Sequence, residues 1–137
     1  MSAPRFFLLN TNVRGGPRDD GDMLANARAA AFYAPWKHQI DRLRRGDVVF
    51  LYRSGAGIVA FGRASGVVEV RDHRGDPAAA GEEHAMALDG FVTLDAPVPA
   101  AEVQRIAARS LTFRQTMVAL PEGAGERILE ALSVRAL

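Results

Sequence analysis

The sequence predicts an α+β fold: a small, strongly bent β-barrel of about five to six strands flanked by short helices. Three observations predict it. Residues 45–66, RGDVVFLYRSGAGIVAFGRASG, read as a hairpin, two β-branched and aromatic runs joined by the turn cluster Ser54-Gly55-Ala56-Gly57. In the first run Val48, Phe50 and Tyr52 alternate with Val49 and Leu51, so both faces are apolar, as in a covered central strand or a closed barrel. Helical patterns are inserted between the strands without regular alternation, which argues for α+β.

Taken in order, residues 5–11 (RFFLLNT) form a strand that turns polar at Asn10-Thr11-Asn12, and Gly15-Gly16-Pro17 breaks it. Asp22 is the expected N-cap of an alanine-rich helix from Met23 to about Phe32-Tyr33, where Pro35 disfavours helix at Ala34. Residues 36–44 read as a short helix or turn with Ile40 and Leu43 on one face and Lys37, Arg42 and Arg44 on the rest. After the hairpin, the second strand is expected to run on through residues 67–70, with Gly62 and Gly66 allowing a bend. Residues 71–83 are a polar loop. Residues 84–94 hold a strand with a break at Asp89-Gly90. Residues 100–109 form a helix with Val103, Ile106 and Ala107 inward, residues 116–120 a last strand, and residues 122–132 a closing helix.

A chain of 137 residues with 48% hydrophobic and 24% charged composition is expected to form one domain, residues 1–137. The absence of cysteine excludes disulfides, thiolate nucleophiles and Cys-based zinc sites, and fits a cytoplasmic location. No stretch approaches the ~18 apolar residues of a membrane span. Charge is uneven: residues 1–63 carry ten Lys/Arg against five Asp/Glu, and residues 64–137 carry seven against eleven. The basic half suits a phosphate backbone, and equally suits an arginine-rich composition distributed by chance.

Catalytic patterns are weak. Gly57 to Ala64 has the glycine spacing of a phosphate loop but lacks its Lys-Ser/Thr, and its residues are strand-like. His73, Asp76, Glu82, Glu83 and His84 form either a His/carboxylate metal set or a solvated loop. His38 reads as a surface residue. Trp36, the sole tryptophan, is either core or the flat wall of a base-binding cage beside basic residues. Asn10 and Asn12 offer donors and acceptors for reading a base edge, or simply shape a turn.

The order of these parts resembles a known family. A strand ending in Asn-Thr-Asn precedes a helical insertion and a Trp-containing segment. The step Arg45-Gly46-Asp47 then opens the strand 48–52, and a glycine turn leads to the second strand 58–64. This is similar to an EVE domain of the PUA-like superfamily, a relative of YTH and ASCH domains, over about residues 5–132. Where EVE domains carry a tryptophan-led motif rich in Asn, Gln and Arg, this chain has WKHQIDR at 36–42. The resemblance implies a PUA-like barrel and a non-enzymatic module that recognises a flipped, modified base of DNA or RNA, without catalytic residues, metal or cofactor. It implies ligand contacts from Asn10, Thr11, Asn12, Trp36 and Tyr52, with Arg53 and Ser54 at the rim. Lys37, Arg44 and Arg45, basic residues beside this pocket, are the expected phosphate contacts. Two other functions fit the residues: a small metal-dependent hydrolase or nuclease using His73 and His84, and a module binding a protein or small ligand in the same pocket.

Overall fold

The protein, described here by a computed structural model covering residues 4–12 and 16–136, is a mixed α+β structure built on one strongly curled sheet. Strand β1 (Phe6–Asn10) is followed by α1 (Pro17–Asn26), β2 (Arg28–Phe32) and a 3-10 helix (Trp36–Arg42). The hairpin β3 (Val48–Arg53) and β4 (Gly57–Ala64) comes next, then β5 (Glu69–Arg71) and the long β6 (Glu83–Val98). The chain ends with α2 (Ala100–Ala107), β7 (Met117–Leu120) and α3 (Glu122–Arg135). The strand order is β2-β6-β4-β3-β1-β7, with β5 on β6. Only β1 and β3 run parallel; the other pairs are antiparallel.

β6 closes the curl. Its first residues pair with β2 on one side and β5 on the other, and its remainder pairs with β4. Register shifts opposite Phe61/Arg63 and Ile58/Ala60 let one 16-residue strand serve both parts. Extra residues in one strand of a pair bend it and increase its twist. The first shift spans Gly90, whose φ of +59° suits glycine. The expected break at Asp89-Gly90 is thus a bulge within a continuous strand.

Alternation along β1 and β3 feeds two cores, as the apolar faces predicted. Phe7, Leu9, Val49 and Leu51 point into the curl with Ala29–Ala31, Ile40, Leu43 and Met86. Phe6, Leu8, Val48 and Phe50 point outward under Val103 of α2 and Ile128 and Leu132 of α3. Helix α3 lies so close that a Cβ at Gly125 would come 2.2 Å from the Phe6 ring, so only glycine fits there. Ile106 is half-buried, and Val103 and Ala107 are fully covered.

Two expectations are corrected. The helix begins at Pro17, not at Asp22: proline suits a first turn, and Asp19 and Asp20 in that turn complement the helix dipole. It ends at Ala27, whose φ is +51°, and residues 28–32 form a strand where the alanine run predicted helix. Alanine's helix preference is a few tenths of a kcal/mol per residue over its neighbours (roughly). That is outweighed by a five-residue ladder to β6, in which Ala29, Ala30 and Ala31 are at most 2% exposed. The second correction is β5: beyond β4 the chain turns at Gly66 (φ +86°) and residues 69–71 pair with β6 instead of prolonging β4.

Candidate functional site

At the end of β1 the polar residues form a web. Asn10 is buried; its Nδ2 donates to Ser54 Oγ at 2.8 Å and to the Phe113 carbonyl at 2.7 Å, and its Oδ1 accepts from Asn12 N–H at 3.1 Å. Asn12 Oδ1 accepts from the Ser54 N–H at 2.8 Å. The buried Thr11 hydroxyl donates to Asp20 Oδ1 of α1, and Arg53 Nε donates to Asp20 Oδ2 at 2.9 Å. The Tyr52 ring is 6% exposed and stacks on Phe113 at 4.6 Å, and burial pushes its phenol pKa up. Asn10, Thr11, Asn12, Tyr52, Arg53 and Ser54 are therefore together, with the named polar atoms of the web engaged within the chain.

Beside this web lies a cleft of about 240 Å³, lined by Trp36, Gln39, Arg114, Gln115, Thr116 and Met117. It abuts the end of β1, because the Asn10 N–H donates to the Thr116 carbonyl and Leu9 pairs with Met117. Trp36 is half-buried at the first position of the 3-10 helix. The Thr116 hydroxyl is buried and has no hydrogen-bond partner. Thr116 lines the cleft, and its hydroxyl is closed off from solvent as an unmet polar group in the wall. Arg114, Gln115 and Thr116 were not singled out in the sequence. The polar run Arg114-Gln115-Thr116 just before the last apolar strand is the one sequence feature that marks them.

The expected phosphate contacts divide. Lys37 Nζ is held by Glu82 Oε1 and the Gly81 carbonyl, both at 3.2 Å. Arg44 and Arg45 are exposed and border a groove of about 320 Å³ with Arg5 and Arg63. That groove is at the opposite end of β1, where Asp47 accepts from both Arg5 Nη2 (2.6 Å) and Arg44 N–H (2.7 Å). The Gly-Asp step thus anchors the hairpin to the start of β1. The two ends are separated by the five residues of β1, about 16 Å at strand rise.

The His/carboxylate set drawn from the loop is not assembled. His73 Nε2 meets Asp19 Oδ1 at 3.0 Å and its Nδ1 meets the Tyr33 hydroxyl at 3.0 Å, whereas His84 Nδ1 meets Asp41 Oδ1 at 2.7 Å. Burial alone would raise the Asp19 pKa, but hydrogen bonds from Arg74 and His73 outweigh it and hold the carboxyl below its ordinary value. A cavity of about 430 Å³ opens between α1 and the Arg71–Gly75 stretch. There burial raises the pKa of Glu83, one of whose oxygens has no hydrogen-bond partner.

The curled sheet, parallel β1/β3 pair and covering helices form a half-barrel, consistent with a small PUA-like barrel. No family model and no curated protein matches the chain, but solved structures share its fold. Protein Rpa0253 from Rhodopseudomonas palustris is 15% identical over 95% of this chain and 94% of its own, with a TM-score of 0.60. PSPTO5229 from Pseudomonas syringae is 11% identical over 95% and 99%, with a TM-score of 0.54. Human THYN1, solved in complex with 5-methylcytosine-containing DNA, is 13% identical over 97% and 98%, with a TM-score of 0.53. THYN1 is an EVE-domain protein, so the EVE-type fold that the sequence resembles is the fold of this chain. No helix among the described residues is long and apolar enough to cross a membrane.

Proposed function

We propose that this protein is a non-enzymatic DNA-binding module that receives one extruded, modified base in the Trp36 cleft. The observation that carries the reading is the juxtaposition of the half-buried indole with the Gln39 and Gln115 side chains in one small recess. An aromatic face stacks on any base, and amide and hydroxyl groups read its edge. Met117, on the same wall, offers apolar contact to a methyl group. The shared fold of THYN1, whose complex holds 5-methylcytosine DNA, supports the same reading.

In this arrangement Asn10, Thr11, Asn12 and Ser54 hold the floor of the site in shape, with Tyr52 and Arg53 bracing it. Arg44, Arg45 and Arg63 take phosphates about 16 Å away, on the order of five base-pair steps of backbone. Lys37 joins them by exchanging Glu82 for a phosphate. Extrusion costs a few kcal/mol and is cheapest for a damaged, modified or unpaired base, which favours such a base as the ligand.

Trp36 is the only tryptophan, so its emission reports directly on stacking. Titration with DNA and RNA oligonucleotides carrying one 5-methylcytosine, one N6-methyladenine or no modification is expected to quench that emission, most strongly with a modified DNA strand. Trp36→Ala is expected to weaken binding roughly 10- to 100-fold, the ~1–3 kcal/mol of one stacked base. Binding with unchanged emission and equal affinity in Trp36→Ala would overturn the proposal, as would no binding at all.

A further inference from the structure

A second constellation lies away from the cleft floor, on the other side of the 3-10 helix. His38 and Asp41 are one turn apart on that helix, and His84 faces them from the start of β6. His84 Nδ1 lies 2.7 Å from Asp41 Oδ1, and His38 Nδ1 lies 3.1 Å from Asp41 Oδ2. The rings meet edge to face with centroids 5.1 Å apart. One ligand atom from each of the three residues lies within 4.8 Å of the others. His84 is nearly covered, with 11% of its side chain exposed, whereas His38 and Asp41 are 56% and 41% exposed, so the cluster opens to solvent.

We propose that His38, Asp41 and His84 bind a divalent transition-metal ion of the zinc type, through both Nδ1 atoms and the Asp41 carboxylate. The donor set decides the class. Two imidazole nitrogens and a carboxylate suit Zn²⁺, Co²⁺, Ni²⁺ or Cu²⁺, whereas Mg²⁺ and Ca²⁺ require mostly oxygen. Zinc–ligand bonds of about 2.0–2.1 Å in a tetrahedron place ligand atoms ~3.3 Å apart. The observed 2.7 Å is from His84 to Oδ1 and the 3.1 Å from His38 to Oδ2, so the Asp41 carboxylate bridges the two rings and turns between them to face the ion. An ionised carboxylate only accepts, so both rings present Nδ1–H to it. On metal binding each ring gives up its Nδ1 proton and carries one on Nε2 instead, so both imidazoles stay neutral and the ion takes the place between the Nδ1 atoms and the carboxylate. The neighbouring cation, Lys37, is already paired with Glu82. Three protein ligands leave a fourth position for water. Because the ligands join the 3-10 helix to β6, an ion there fastens the helix that carries Trp36 and Gln39 onto the sheet; this last consequence alone rests on the cleft reading.

Calorimetric titration of the metal-free full chain with Zn²⁺ tests the site. One ion per chain is expected, with no heat from Mg²⁺, and Co²⁺ is expected to give visible absorption bands of a low-coordinate nitrogen/oxygen site. His38→Ala, at an exposed position that leaves the fold intact, is expected to lower Zn²⁺ affinity by roughly 100-fold, the upper range for loss of even an outer-sphere partner. Asp41→Ala is expected to do the same. Absence of saturable Zn²⁺ binding, or unchanged affinity in both variants, would overturn the site. Neither result depends on whether the protein binds DNA.

Discussion

The web at the end of β1 and the Trp36 cleft share a wall yet use their polar groups in opposite ways. In the web, Asn10, Asn12, Thr11, Asp20, Arg53 and Ser54 satisfy one another. In the cleft, Thr116 keeps a buried hydroxyl with no partner and Trp36 stays half open. Hydrogen bonds made within the chain are spent on holding it together, and a half-open aromatic face beside amide side chains is what a ligand recruits. The two regions should therefore fail differently when mutated.

The largest expected effect is on stability. Asp20→Ala leaves the buried Thr11 hydroxyl with only the long 3.4 Å contact to the Tyr52 carbonyl and removes the partner of Arg53 Nε, and is expected to cost roughly 3 kcal/mol in urea unfolding. If the folded variant still binds DNA normally, the web is scaffold; selective loss of binding at unchanged stability would break the division. Trp36→Ala should show the converse, a 10- to 100-fold loss of oligonucleotide binding (about 1–3 kcal/mol) with a smaller change in urea midpoint than Asp20→Ala.

The pH response sharpens the same contrast. The Asp19 carboxyl, held low by Arg74 and His73, has a folded pKa below its unfolded one. Its contribution is fully present above the unfolded value near pH 4 (about) and is lost as pH falls through the folded value. Asp19→Asn is expected to flatten the acid limb of urea midpoint against pH. The smallest effects belong to the rim: Arg44→Ala and Arg45→Ala should each reduce the slope of log affinity against log salt by about 1 and leave Trp36 quenching intact.

Local patterns made much of the fold legible. The β3–β4 hairpin shows in its glycines and alternation, the 3-10 helix in Ile40 and Leu43, and α2, β7 and α3 in their apolar spacing. The alanine run was misleading because a helix former such as Ala30 becomes a strand residue once β6 supplies the partner, a fact that lies 55 residues downstream. The same holds for function. Trp36 stands out as the sole indole, but the Thr116 that lines the same cleft and the His84 that joins His38 are brought there only by the sheet. The use of Asn10 within the web was equally hidden, since its partners are Ser54 and Phe113.

One consequence concerns how the chain assembles. β1 is a central strand whose two neighbours are β3 and β7, so the first strand made waits for nearly the last. Until residues 117–120 leave the ribosome, one whole side of β1 is an open template for foreign strands. Nascent chains halted before that point should attract chaperones, and release of the C-terminal segment should end that need in a single step.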